Sequence, residues 1–111
     1  MEPTDLARLR LASQRLQGAS LTSPARAVEW LGAAQAQEYP TALWSLSLRL
    51  GGQAISALEG AFAAGEMLRT HVMRPTWHLV PPDAIRWMQR LTGERVLRGV
   101  ASRQRQLGLT T

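Results

Sequence analysis

The sequence predicts a mainly helical α+β domain with one small β-hairpin. Apolar residues recur at helical spacing through most of the chain, between helix-start and helix-stop residues, and the pattern changes to a strand-like one only between Met67 and Val80. The 111 residues allow one domain with a modest core, because a chain of this size buries somewhat over ~60% of the surface that its unfolded form exposes.

Two helices are predicted at the start of the chain. In the first, Thr4 precedes an apolar stripe and Gly18 marks the stop. The stripe consists of Leu6, Leu9, Ala12 and Leu16. The second begins with Ser23 as N-cap and Pro24 at the first helical position, and it ends at Gly32. Its stripe consists of Ala27, Val28 and Leu31.

Two further helices follow. Pro40 can open the third, which has so little polar face before Gly51 and Gly52 that we expect it to be buried. Its apolar residues are Leu43, Trp44, Leu46, Leu48 and Leu50. The fourth ends at Gly65, and its stripe is Ile55, Leu58, Ala61 and Phe62.

Residues 67–73 and 76–80 read as two strands of a hairpin, because bulky and β-branched residues alternate loosely with polar ones and Arg74 and Pro75 separate the two runs. Pro82 and Asp83 then start a fifth helix. Residues 93–111 are a basic tail or the start of a following unit, after a domain that spans 1–92. Helices followed by a hairpin are typical of a winged helix-turn-helix domain, although other small α+β folds share this order.

The net charge of +5 comes from arginine alone, since the chain contains no lysine. Arginine suits nucleic acid because its planar fork binds phosphate or guanine bidentately, although a GC-rich genome also favours arginine. The absence of cysteine excludes disulfides and thiolate sites, and two histidines without an acidic cluster predict no metal and no cofactor. There is neither a transmembrane run nor a signal peptide, so we expect a cytoplasmic, nucleoid-associated monomer.

Three segments carry a resemblance to a known family. They are residues 15–17 with the first helix, residues 31–44 with Arg49 behind them, and residues 69–80. Together they resemble the N-terminal part of the bacterial winged-helix DNA glycosylases related to azinomycin-resistance proteins. The resemblance implies tandem winged-helix units that excise alkylated or crosslinked bases from duplex DNA. Members of that family are several times longer, so we expect this chain to be either a segment of such a protein or a severely shortened relative, and to be inactive alone.

The family's catalytic motif is a glutamine, an apolar residue and a glutamine, and Gln35-Ala36-Gln37 stands in its place. We therefore predict that Gln35 and Gln37 are catalytic. Glutamine has no titratable proton, so such a pair suffices only for a base that already carries a positive charge, such as an N7-alkylated purine. The alternative is that both are amides in an interhelical loop and cap helix ends.

The predicted DNA-binding residues are Arg49, Arg69, Arg74, Thr76 and His78. The alternatives are a solvated hairpin face and, for His78, a structural role. Where the family's hairpin commonly has Arg-Gly-Thr, this chain has Arg74-Pro75-Thr76, and Pro75 cannot adopt the positive φ of a glycine. The four tryptophans are predicted to be core or half-buried, with Trp77 as a candidate to stack on a base.

Three functions are compatible with the sequence. The first is the DNA-binding segment of a glycosylase that hydrolyses the N-glycosidic bond of N7-alkylated or crosslinked purines. The second is a non-catalytic winged-helix DNA-binding module, and the third is a protein-interaction domain. The glutamine pair favours the first, and the basic hairpin supports the first two. Fold alone cannot choose among them.

Overall fold

The computed structural model describes residues 1–109. In it the chain forms five helices and a three-stranded antiparallel sheet. The elements follow one another as α1 (Pro3–Ser13), α2 (Pro24–Leu31), β1 (Ala34–Gln35), α3 (Tyr39–Arg49), α4 (Ile55–Ala63), β2 (Leu68–His71), β3 (Trp77–Val80) and α5 (Ile85–Gln106). The mainly helical α+β class is confirmed, and the topology is compatible with a winged helix. None of the helices within residues 1–109 combines the length and apolar character that crossing a membrane would require.

Helix α2 forms where its capping residues predict it, whereas both ends of α1 differ from the prediction. The Oγ of Ser23 accepts a hydrogen bond from the backbone N–H of Arg26 at 3.2 Å, and Gly32 closes α2 with φ 76°. In α1 the cap is Glu2 rather than Thr4. Arg15 adopts φ 57° directly after α1, so this helix ends before Gly18. None of the side chains of α1 is buried.

The main core lies between α2, α3, α4 and the sheet. It consists of Ala27, Val28, Ala36, Ala42, Leu43, Leu46, Leu58, Ala61, Met67 and Leu79. The expectation that α3 is buried on all sides is wrong, because Trp44 is 58% exposed and Leu48 43% exposed. The neighbouring helices α2 and α4 pack against α3 through the face that carries Leu43 and Leu46, which leaves Trp44 and Leu48 in solvent.

The hairpin of β2 and β3 is confirmed, with His71 paired to Trp77 and Leu68 to Val80. A third strand was not predicted. The two residues of β1 pair with β3 on its other edge, which places Gln35 opposite His78 and gives the strand order β1-β3-β2. Two residues are too few to show strand alternation in a sequence, so the sequence pattern does not predict β1.

The last helix begins at Ile85 rather than Pro82, and it continues beyond Gly93 as one helix to Gln106. It packs along β2, over a second cluster formed by Val72, Val80 and Met88. None of the four tryptophans belongs to the core, so that part of the prediction is wrong: Trp77 is 36%, Trp30 41%, Trp87 54% and Trp44 58% exposed. Three of them lie on helices, Trp30 on α2, Trp44 on α3 and Trp87 on α5.

Candidate functional site

The two glutamines lie at the edge of the sheet that β1 forms. Gln35 is the last residue of β1, and the backbone N–H of Ala36 continues the pairing by donating to the carbonyl oxygen of Trp77 at 2.7 Å. The side chain of Ala36 is buried in the main core, whereas Gln35 and Gln37 on either side are exposed. The apolar middle residue thus anchors the segment and leaves both amides in solvent.

Both amide oxygens are held by the hairpin. The Nη2 of Arg74 donates to the Oε1 of Gln35 at 2.8 Å, and the backbone N–H of Trp77 donates to the Oε1 of Gln37 at 3.2 Å. A guanidinium and a backbone N–H are donors only, so each amide must turn its oxygen toward the hairpin. Each NH₂ group therefore faces away, and each oxygen keeps one lone pair for a further donor. The amides do not cap helix ends.

Arg69 organises the segment beneath the glutamines. Its Nε and Nη2 donate to the carbonyl oxygen of Ala36 at 3.0 and 2.8 Å, and its Nη2 also reaches the carbonyl oxygen of Gln37 at 3.2 Å. The guanidinium carbon lies 4.8 Å from the ring centroid of Trp77 and 5.8 Å from that of Tyr39. Arg69 is thus a positioning residue whose donors are largely used within the chain.

This arginine belongs to a stack that the sequence analysis did not find. The ring of His71 lies 4.2 Å from that of Trp77, and the ring of Tyr39 lies 5.4 Å from that of Phe62. Trp77 already has two stacking neighbours, His71 and Arg69, within the chain. The one available signal was the alternation of Arg69 and His71 on β2, which puts both side chains on the same face of the sheet.

The hairpin turn, residues 73–76, contains a residue with positive φ although it lacks the glycine of the family pattern. The positive φ occurs at Met73, with φ 63°, and not at Pro75. The backbone N–H of Arg74 donates to Val72 at 2.6 Å and that of Thr76 to Arg74 at 2.7 Å, which makes two tight successive turns. The N–H of Met73 donates to the Oγ1 of Thr92 on α5 at 2.9 Å. The turn is therefore held against α5.

His78 has a structural position. It is only 3% exposed, and its Nδ1 donates to the carbonyl oxygen of Thr76 at 3.0 Å. Burial lowers its pKa, the bond to Thr76 partly offsets this effect, and the nearby Arg74 and His71 lower the pKa further. The Oγ1 of Thr76 is also buried, and within residues 1–109 it has no hydrogen-bond partner.

Arg49 is not brought to the glutamines. It is 8% exposed, and its guanidinium donates to the carbonyl oxygen of Gln14 at 2.9 Å and to the carbonyl oxygen and Oγ of Ser45 at 3.0 and 2.7 Å. Burial lowers its pKa. These bonds tie the end of α1 to α3, so the donors that a phosphate would need are occupied.

Both glutamines are exposed, and two cavities lie elsewhere in the structure. In the part of the chain that the structure describes, no three histidine, aspartate or glutamate side chains gather as metal ligands. One cavity of about 430 Å³ lies beside Trp87 and Asp83, and another of about 340 Å³ lies beside Trp30 and Arg15. Neither of these two cavities is lined by Gln35 or Gln37.

Comparison with known families gives one clear result. The family model described as "DNA glycosylase AlkZ-like" matches residues 28–111, which include the glutamine pair, the hairpin and α5. Curated proteins and solved structures give no match. The resemblance to the azinomycin-resistance type of glycosylase is thereby confirmed, and DNA is the partner that this family implies. The chain belongs to the AlkZ-like DNA glycosylase family.

Proposed function

We propose that this chain supplies the glutamine pair of a monofunctional DNA glycosylase that hydrolyses the N-glycosidic bond of N7-alkylated or crosslinked purines in duplex DNA. The observation that carries the proposal is the fixed orientation of both amides, whose oxygens accept from Arg74 and from the N–H of Trp77. Amides held in this way form a preorganised set of dipoles, which is the arrangement that stabilises charge in a transition state.

The reaction needs little acid–base chemistry when the base is cationic. The bond between the sugar carbon and the base nitrogen breaks, its electron pair neutralises the alkylated purine, and water adds to the sugar and releases a proton. The free lone pair on the Oε1 of Gln35 or Gln37 can accept a hydrogen bond from this water. No described hydrogen bond joins a carboxylate to either glutamine, which suits a substrate that needs no protonation to leave.

Arg74 has a different place in the proposal. A guanidinium beside the sugar would oppose the positive charge that the sugar develops, so we assign Arg74 to a flanking phosphate, where the same charge is favourable. Its hydrogen bond to Gln35 then links the contact with the DNA backbone to the orientation of the amide.

One observation favours a second function. Both glutamines are exposed, and a flipped base would need further walls to exclude water. A non-catalytic DNA-binding module needs no such walls. In the glycosylase proposal the DNA and other winged-helix units provide them, so this segment alone releases little base. Duplex DNA as substrate also agrees with a cytoplasmic, nucleoid-associated protein.

The test measures abasic sites in duplex DNA that carries N7-methylguanine, with this chain and with a longer family member that contains the pair. Gln35→Ala and Gln37→Ala should abolish release, whereas Gln17→Ala, an exposed glutamine outside the site, should not. If the longer protein releases no base, the glycosylase proposal fails. If it binds the DNA without release, the DNA-binding module is the correct function.

A further inference from the structure

Ten of the thirteen arginines fall into two groups. Four lie outside α5 and contact other residues of the chain: Arg15 over the ring of Trp30, Arg26 paired with Glu29, Arg49 with Gln14 and Ser45, and Arg69 in the aromatic stack. The Arg26–Glu29 pair is the one ion pair found within residues 1–109. Six others lie on α5, which has a single acidic residue, Glu94: Arg86, Arg90, Arg95, Arg98, Arg103 and Arg105.

Successive residues along α5 contact successive residues of the hairpin. The Nε2 of Gln89 donates to the Oγ1 of Thr70 at 2.9 Å, and three residues later Thr92 accepts from the N–H of Met73. Further along, a Cβ placed on Gly99 would lie 3.2 Å from the Cγ of Pro75. The helix therefore passes beneath the hairpin turn, and Gly99 marks the closest approach.

Two arginines flank that point on the same face of α5. Arg95 and Arg103 are four residues before and after Gly99, which places them about 40° from its direction and about 6 Å away along the helix axis on either side. Glu94 lies about 140° round the helix, so it does not neutralise them. The turn itself contributes Arg74, which is exposed. Helix geometry thus places Arg95 and Arg103 on either side of the hairpin turn, whose Arg74 donates to Gln35.

Two other regions of the surface do not offer a comparable site for DNA. In a helix-turn-helix domain the helix before the hairpin would enter the major groove, and here that helix is α4. It contains no arginine, and its one charged residue is Glu59. The cavity at the N-terminal end of α5 is lined by three carboxylates, those of Glu29, Glu66 and Asp83. Both regions would repel phosphates.

We propose that Arg95 and Arg103 of α5, together with Arg74 of the hairpin turn, form one phosphate-binding surface, and that the protein binds duplex DNA through this surface and not through α4. The proposal rests on the proposed function only in taking DNA as the partner. It needs no catalysis. It assigns to α5 the task of holding the backbone beside the glutamines, which fixes the register of the site on the duplex.

The test is the affinity of the chain for a short labelled duplex of mixed sequence as salt is raised. Each lost phosphate contact reduces the slope of log affinity against log salt by about 0.9. Arg95→Gln/Arg103→Gln should therefore bind about a hundredfold more weakly than wild type at about 50 mM salt, and about tenfold more weakly at about 200 mM. Arg95→Lys/Arg103→Lys should retain most of the affinity because the charges remain.

Arg86→Gln/Arg90→Gln is the matched control. It removes the same charge from the same helix, but Arg90 lies about 180° from the direction of Gly99. An equal loss with this control, a wild-type slope for the Arg95/Arg103 variant, or no duplex binding by the wild-type chain would each overturn the proposal. Failure of the glycosylase function is distinguishable, because the salt dependence is measured on undamaged duplex and needs no base release.

Discussion

The guanidinium of Arg74 and the amide oxygen of Gln35 lie 2.8 Å apart, although 39 residues separate them in sequence. We expect this bond to couple the two residues. In a double-mutant cycle with Arg74→Gln and Gln35→Ala, the coupling free energy of unfolding should be about 0.5–1 kcal/mol, because the pair is exposed and partly screened by solvent. Urea denaturation measures it. Arg86→Gln combined with Gln35→Ala should be additive, and equal coupling there would contradict the assignment.

Arg69 should matter for stability. Arg69→Ala removes the donors to the carbonyl oxygens of Ala36 and Gln37 and the contact with the ring of Trp77. We expect a loss of about 2–3 kcal/mol in the free energy of unfolding. Arg69→Lys should recover only part of it, because an ammonium cannot stack and reach two carbonyls at once. A loss under about 0.5 kcal/mol in urea denaturation would show that the stack does not hold β1.

The buried hydroxyl of Thr76 predicts an unusual gain. Its Oγ1 has no partner in the described chain, so Thr76→Val replaces an unsatisfied polar atom with a methyl of similar size. The free energy of unfolding should rise by about 0.5–1 kcal/mol, whereas Thr76→Ser, which keeps the hydroxyl, should show no gain. Thermal melting compares the two. A destabilised valine variant would mean that the hydroxyl is satisfied in solution.

Much of the fold was predictable because its signals are local. Ser23, Pro24 and Gly32 fix α2 through capping chemistry within one segment, and the change of period after Met67 marks the hairpin. The strand β1 could not be predicted, since it exists only through pairing with β3 more than forty residues later. The exposure of Trp44 could not be predicted for the same reason, because it depends on which elements pack against α3.

The candidate site was only partly predictable. The positions of Gln35 and Gln37 came from the family resemblance, and the structure adds how their amides are oriented. Arg49 and Arg69 were expected to contact DNA, but their acceptors, at Gln14 and Ala36, are 35 and 33 residues away in sequence. No sequence pattern indicates that the guanidinium of an arginine will donate its hydrogen bonds to a distant backbone carbonyl.

His78 predicts that the protein is less stable in acid. Burial disfavours the imidazolium, so the pKa in the folded state lies below the unfolded value of about 6.5. The contribution of neutral His78 is therefore complete above that value and is lost as the pH falls below it, until the folded pKa is passed. Thermal midpoints from pH 8 to pH 5 should drop less steeply for His78→Gln than for wild type. Parallel curves would assign the acid sensitivity to other groups.

Two glycines inside α5 should respond differently to the same substitution. A Cβ on Gly93 meets no atom within 4 Å, so Gly93→Ala should raise the free energy of unfolding by about 0.5–1 kcal/mol through helix propensity. A Cβ on Gly99 lies 3.2 and 3.3 Å from the Cγ and Cδ of Pro75, so Gly99→Ala gains the same propensity but must displace the hairpin turn.

We expect the gain at Gly99 to be smaller than at Gly93 or reversed, and Pro75→Ala should restore it in the Gly99→Ala background by removing the ring atoms. Urea denaturation of Gly93→Ala, Gly99→Ala, Pro75→Ala and the Gly99→Ala/Pro75→Ala double variant measures the difference. Equal gains at both glycines would show that α5 and the hairpin turn are not in close contact. The turn carries Arg74, so a Gly99→Ala variant that displaces it should also weaken the bond to Gln35. The double-mutant cycle between Arg74 and Gln35 should then give a smaller coupling in that background.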